Sequence, residues 1–455
     1  MTTRAQVSGY RFGLARAEHA LVRRDARMLH DPMRSQFRAL IAGAVVALLV
    51  VAGAGIYGLI APAPSVAQAK IVTSDAGGLY VLVDDVMHPV PNLASARLVV
   101  GEPLPAKTVA QSAVSRYPRG SALGIPGAPV ALPGPADRAV SSWSVCDDPA
   151  GGTAVVAGTL AADPAPSPTG ALVRSGSGEW LLYQQQQRGG WRPVRARVQP
   201  SSTAVRRALG IDGATARPIS PALLNAFPAE PELAVPEIAG RGGPGPGALR
   251  AEPVGTVIRL LGVDGRASYF VVLAEGVQPL SVAAAEALRG ADVGSAGSVR
   301  EVSPGVLSRV PVVHRLPLEH FPAGPVALTP AGAVLCRRWE YAGSSAAARE
   351  SLTVTERLPL PTGARVVGLR AGDGDGPALD GAYLRPGTGE RVEVAGAQYY
   401  VTDAGVRYRL VGEDVGTVLG LPTAARPAPW PVLSLLPAGP QLARESALVE
   451  RDLPR

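Results

Sequence analysis

From Ala39 to Ile60 the chain runs for 22 residues without a single charge. A bilayer core of roughly 30 Å needs about 20 apolar residues in helical form, because lipid offers peptide groups no hydrogen-bond partners and a helix satisfies them internally. A buried helix of a soluble domain is the alternative, but such helices rarely run this long without a polar face. The flanks set the direction. Eight arginines (Arg4, Arg11, Arg16, Arg23, Arg24, Arg27, Arg34, Arg38) face only Glu18, Asp25 and Asp31 on the N-terminal side, whereas the next charge after the stretch is Lys70. The positive-inside rule keeps residues 1–38 in the cytoplasm. A cleaved signal peptide carries an apolar core of about 7–15 residues behind a short charged region. Here 38 residues precede an apolar run of 22, so the stretch reads as an uncleaved anchor with 395 residues outside the membrane.

That topology changes the meaning of the composition. Of the formal net charge of +7, the leader supplies +5, so the outer part is nearly balanced and offers no basis for binding nucleic acid. Only the leader has the charge to touch anionic headgroups. Both cysteines, Cys146 and Cys336, lie on the outer side. In an oxidising compartment one disulfide is the expectation, closing a loop of about 190 residues, with two free thiols as the alternative.

The leader from Val7 to Leu29 reads as a helix stopped by Asp31-Pro32. Phe12, Ala15, His19 and Val22 share one side, with Leu14, Leu21 and Met28 spread beside it. A broad apolar face among arginines suits the membrane interface or a partner's groove, with Phe12 as anchor and Arg23 and Arg24 as contacts to acidic groups. A merely solvated basic leader is the rival reading.

Beyond the anchor and a stiff Pro62–Pro64 linker, four stretches look alike. The first is Leu79–Val83, a turn at Asp84-Asp85, a strand at Val86–Val90, then a short helix ended by Gly101. Tyr269 to Gly290 matches it at an offset of 190; Trp180 to Gly210 and Tyr399 to Gly420 are looser copies. Each reads as strand, tight turn, strand, short helix. Such units are too small to bury a core alone. The expected fold is therefore α+β: a leader helix at 1–38, a transmembrane helix at 39–60, and an ectodomain of four repeat units around a central disulfide-linked domain. The boundaries are 61–115 for unit one, 171–227 for unit two, 255–312 for unit three and 378–425 for unit four. The halves of the central domain are 116–170 and 313–377. Units one and two are expected to flank the first half and units three and four the second, a pseudo-twofold plan. Proline and glycine concentrate at 228–254, 373–377 and 426–440, which read as linkers; the last is followed by Gln441 to Arg455, a short polar tail that either straps back over the domain or stays loose, and the two together make a Pro-rich C-terminal tail at 426–455.

Catalytic motifs are mostly missing. Gly101-Glu-Pro-Leu-Pro-Ala-Lys107-Thr108 comes within one residue of a phosphate-binding loop. Ala106 replaces its second glycine, however, and Pro103 and Pro105 remove two amides from the cradle. There is no Gly-x-Ser-x-Gly elbow, and the outer histidines are His88, His314 and His320. His314, Glu319 and His320 match no helical zinc spacing. Asp373, Asp375 and Asp380 resemble the start of a calcium loop whose twelfth position holds Leu384 instead of glutamate. No catalytic residue, metal site or cofactor is expected.

Several segments together resemble one family. Val7-Ser-Gly-Tyr-Arg-Phe, Glu18-His-Ala-Leu-Val-Arg-Arg-Asp25 and Met28 to Gln36 before the anchor look like the N-terminus of EccB, a membrane component of the type VII (ESX) secretion system of actinobacteria. Pro89 to Leu98, Ile219 to Pro228, Gly276 to Ser281 and Leu435 to Leu442 are similar to further stretches of that family in the same order. The resemblance implies a single-pass plasma-membrane protein with four repeats around a central disulfide-linked domain. It also implies assembly with EccC, EccD, EccE, a mycosin protease and other copies of itself. The expected role is a structural subunit and outer platform. An extracytoplasmic ATPase using Gly101, Lys107 and Thr108 is the alternative.

Overall fold

In the computed structural model the described residues are 3–25, 32–60, 66, 69–135, 139–149, 152–158, 169–187, 190–262, 265–292, 299–343 and 347–451. The chain divides into two units, Met1–Ala69 and Lys70–Arg455. The Pro62–Pro64 linker, the end of the leader at Met28-Leu29, Arg188 and Gly189 of the second hairpin turn, and the last four residues lie outside this set.

The first unit holds two helices. Arg4–Arg23 is capped by Thr3 and Gln6 and ends where Arg24 turns left-handed (φ 55°), six residues before the expected stop. The second helix, Pro32–Ile60, is longer than the apolar run and contains one span, Phe37–Gly58, long and apolar enough to cross a membrane.

In the second unit, each of the four hairpins sits in a separate sheet, and the four sheets share one strand order. The first sheet runs Val86–Pro89, Leu79–Val83, Ile71–Ser74, Lys107–Val109. The second runs Gly190–Arg197, Gly178–Gln187, Thr169–Ser175, Arg217–Pro218, with Ala327–Leu328 also on Thr169–Ser175. The third runs Gly276–Leu280, Ala267–Leu273, Val257–Leu261, Arg300–Glu301, and the fourth Arg407–Leu410, Ala397–Thr402, Gly389–Val394, Arg426–Pro427. In each, three antiparallel strands are joined by a parallel one. A parallel partner needs a crossover, and the short helix after the third strand supplies it. In the first sheet Asp84 and Asp85 both take positive φ (48° and 61°), the primed turn that matches strand twist. Asn92 then caps Leu93–Val100 by accepting the Ser95 N–H, and Gly101 (φ 79°) ends it.

A further feature recurs at the outer edge of every sheet. After a second short helix, a proline carbonyl accepts the N–H of the edge strand, and the residue two further on donates back to the same edge residue. The pairs are Met87 with Pro118 and Gly120, Arg195 with Pro228 and Glu230, Val277 with Pro311 and Val313, and Arg407 with Pro437 and Gly439, all at 2.8–3.1 Å. Proline loses nothing there, because its missing N–H is not needed at the rim of a sheet.

Between these sheets lies a six-stranded one, in the order Arg349–Thr355, Val334–Ala342, Val140–Asp148, Gly152–Ala157, Gly381–Tyr383, Val367–Gly368. Cys146 and Cys336 are directly opposite on its third and second strands, Val140–Asp148 and Val334–Ala342, and are bonded. Alternation puts them on one face with Val156 and Val334, while Trp143, Val145, Leu335 and Trp339 point into the largest core on the other. That core also takes Leu223 and Phe227 after the second sheet and Leu433 and Leu436 after the fourth.

Several boundaries differ from expectation. The first and fourth sheets share a core through Leu98, Leu123, Tyr408 and Leu419, and the second and third share another through Leu209, Val205, Ala284 and Leu288. The sheets therefore pair one with four and two with three, a packing that the plan of two units flanking each central half does not include. The expected linker at 228–254 is packed, with Leu233 fully buried and its N–H on Arg197 O. The expected tail at 426–455 contains the fourth sheet's parallel strand and two helical turns, Trp430–Leu433 and Arg444–Ala447. Gly381–Tyr383 belongs to the central sheet instead of the fourth unit.

Candidate functional site

The nucleotide-like stretch takes a shape that works against phosphate. Gly101 is the C-cap of Leu93–Val100 and donates its N–H to Arg97 O, while Lys107 and Thr108 are the exposed start of the first sheet's parallel strand, opposite Val72 and Thr73. A phosphate loop runs from a strand into the N-terminus of a helix, where free amides and a positive dipole end converge. This one leaves the C-terminal, negative end of a helix. The Leu104 N–H is turned onto Glu102 O, and the Leu104 carbonyl accepts from Arg97 Nε.

The calcium-like loop is likewise spent on backbone. Asp380 Oδ2 accepts the Thr153 N–H at 2.8 Å and Oδ1 the Gly374 N–H, and Asp373 Oδ2 takes the Ala378 N–H. Asp380 thus ties this loop to the central strand Gly152–Ala157. The histidines are dispersed: His88 Nδ1 meets Ser121 O, His314 Nδ1 meets Glu319 Oε1, and His320 Nε2 meets Glu232 O. Among the described residues no group of three or more His, Cys, Asp or Glu is placed to hold a metal ion.

A cleft of about 620 Å³ opens where the central sheet meets the second, lined by Asp147, Asp148, Arg174, Ser220, Asp375 and Asp380. Burial pushes the Asp147 carboxyl above the usual range, opposed by the Ser220 N–H at 2.8 Å and by the charge of Arg217. The sequence signalled the aspartates at 373–380 but not Asp147 or Ser220, which only the fold brings to them. Arg217 itself reaches the Ala333 carbonyl, linking the second sheet to the central strand pair. Burial also raises Tyr183 and Tyr400, whose hydroxyls donate to the His320 and Pro133 carbonyls. These groups hold the frame together: the Ser220 hydroxyl that meets Asp147 also accepts the Leu223 N–H as the cap of Pro221–Ala226.

In the leader, Phe12 is 61% exposed, and Arg23 and Arg24 are exposed at its C-terminal end. At 100° per residue Phe12, Arg16 and Arg23 share a face, while Val7, Tyr10, Leu14, Ala17 and Leu21 form a separate stripe at alternating three- and four-residue spacing.

Comparison with known proteins gives one consistent result. Residues 1–454 match the family described as "Type VII secretion system ESX-1, transport TM domain B". The ESX-3 secretion system ATPase EccB3 of Mycolicibacterium smegmatis is 36% identical, across 99% of this chain and 91% of that protein. The ESX-5 secretion system ATPase EccB5 of Mycobacterium tuberculosis is 34% identical across 99% and 94%. Among solved structures, a chain of an intact ESX-5 inner membrane complex aligns with a TM-score of 0.75 at 34% identity, covering 100% of this chain and 97% of that one. A chain of the EccB3 dimer from the ESX-3 core complex aligns at 0.72 and 34% identity, covering 84% and 100%. With the same apolar N-terminal helix, strand-rich body and full-length correspondence, this chain belongs to the EccB family of the type VII secretion system.

Proposed function

We propose that this protein is a structural subunit of a type VII secretion complex in the plasma membrane. Its leader lies in the cytoplasm, and the Lys70–Arg455 unit acts as an outer platform built from four copies of one module. The observation that carries this reading is Phe37–Gly58, the one span among the described residues long and apolar enough to cross a membrane, with an arginine-rich leader before it. The partners would be the motor EccC with EccD and EccE, a mycosin protease and further copies of this chain. The relatives' names favour a second reading, ATP hydrolysis outside the membrane, for which Lys107 is the one candidate cation in the loop. Lys107→Ala separates the two: secretion and complex assembly stay at wild-type level under the structural reading, and both turnover and secretion are lost under the other.

The leader is where a platform would couple to a motor. Phe12 with Arg23 supplies an anchor and a charge on one helical face, and Arg24 adds a second charge at the cap. Phe12→Ala lowers recovery of this chain when the complex is purified through a tag on the motor. Recovery at wild-type stoichiometry, with secretion intact, rejects docking and leaves lipid adhesion or a solvated leader.

A further inference from the structure

The last described segment of the chain does something that the strap of the fourth sheet alone would not require. Leu442 bridges Leu410, donating to Arg409 O at 2.8 Å and accepting from Val411 at 3.0 Å, and its side chain is fully buried. The helical turn Arg444–Ala447 packs on Leu93–Val100 of the first sheet, with Ala447 fully buried and the Arg444 guanidinium against Gly101. Glu450–Arg451 then pairs antiparallel with Ala122–Leu123, the continuation of the first sheet's own strap, and Arg451 Nε donates to Gly124 O at 3.0 Å. The chain's end is thereby fastened first to the fourth sheet and then to the first, across more than three hundred residues of sequence.

The two halves of this segment are held unequally. Leu442 and Ala447 are core residues, in one cluster with Leu98, Leu123 and Tyr408. Leu448 and Val449 are 45% and 48% exposed, and Glu450 and Arg451 contribute a two-residue ladder with both residues on the surface. A short ladder with little burial opens locally far below the free energy of global unfolding. Its opening bares the backbone edge of Ala122–Leu123, which a native protein otherwise keeps covered.

We propose that Leu442–Arg451 is a clasp in two parts. The inner part, Leu442–Ala447, is a fixed wedge between the first and fourth sheets; the outer part, Leu448–Arg451, releases and re-forms on the Ala122–Gly124 edge. The first sheet follows the membrane helix in sequence, so the clasp controls how firmly that sheet is tied to the rest of the outer unit. Those sheets also touch through Arg97 Nη1, which donates to Leu419 O at 2.6 Å, so loss of the outer part leaves the fold standing.

The test is hydrogen exchange on the full-length protein in detergent, with and without residues 448–455. Removal speeds exchange in residues 119–125 by about tenfold or more, while residues 407–411 keep their protection. Arg451→Ala, which spares the backbone ladder, gives a smaller rise at the same place. Equal exchange at 119–125 in the wild-type and shortened proteins overturns the proposal. So does a matching rise at 407–411, because the segment would then be one cooperative piece.

Discussion

Gly120 and Gly439 are placed alike, two residues past the proline of a strap, and each lies under a ring. A Cβ at Gly439 would stand 2.3 Å from Cε1 of Tyr408, and one at Gly120 would stand 2.3 Å from Cε1 of His88. The rings differ in freedom. Tyr408 is only 7% exposed and belongs to the core between the first and fourth sheets, whereas His88 is half-buried on a hairpin edge. Gly439→Ala therefore costs about 1–3 kcal/mol by overpacking, and Gly120→Ala costs less because the imidazole can swing aside. Gly134, where an added Cβ would meet nothing within 4 Å, is the control, and Gly134→Ala is silent. Urea unfolding of the three variants checks the order, and equal midpoints for Gly439→Ala and Gly134→Ala would contradict it. The sequence offered Leu-Pro-Ala-Gly as a family-like string, but the reason for its glycine is a ring that arrives from thirty residues away.

The hairpins were legible because their signals are local. Alternating apolar residues, two-residue turns such as Asp84-Asp85 and the capping residues Asn92 and Ser281 before the first and third sheets' helices act within a dozen residues. The parallel strands were not legible. Lys107–Val109, Arg217–Pro218, Arg300–Glu301 and Arg426–Pro427 are two or three residues long, and two of them contain proline. Nothing local distinguishes such a pair from a loop, since a partner strand defines it. The straps failed for the same reason. Proline density at 228–254 and 426–440 does exclude helix interiors and central strands, and on the sequence alone it reads as linker. A strap needs only carbonyl acceptors and one returning N–H, which Pro-x-Gly or Pro-x-Glu supplies. In the degenerate phosphate loop, Pro103 and Pro105 remove two amides on the sequence alone, whereas its descent from a helix C-terminus is visible only in the fold.

The disulfide takes its meaning from how the whole chain is threaded. Cys146 and Cys336 are 190 positions apart, and the stretch between them contains all of the second and third sheets, while the first and fourth sheets lie outside the loop. The two cysteines sit on adjacent strands of the central sheet, Val140–Asp148 and Val334–Ala342, whose eight-pair register from Leu335–Asp147 to Ala342–Val140 holds those strands together without the bond. The covalent link therefore adds little to the native contacts and acts on the unfolded chain, where closing so long a loop removes conformational freedom. Chain-entropy arithmetic for a loop of this length gives about 5 kcal/mol, and native disulfides in practice contribute about 2–5. Both cysteines are fully buried, so a reductant meets the bond only when the sheet opens. Paired Cys146→Ala and Cys336→Ala should fold to the same sheet arrangement, lower the urea midpoint, and steepen the transition because the unfolded state expands. In the wild-type protein, thiol labelling under dithiothreitol should be negligible in buffer and complete in urea above the midpoint. An unchanged midpoint in the double variant would mean that the central sheet is already closed in the unfolded ensemble. Rapid labelling in buffer would mean that the two cysteine-bearing strands part far more easily than eight paired residues between two cores allow.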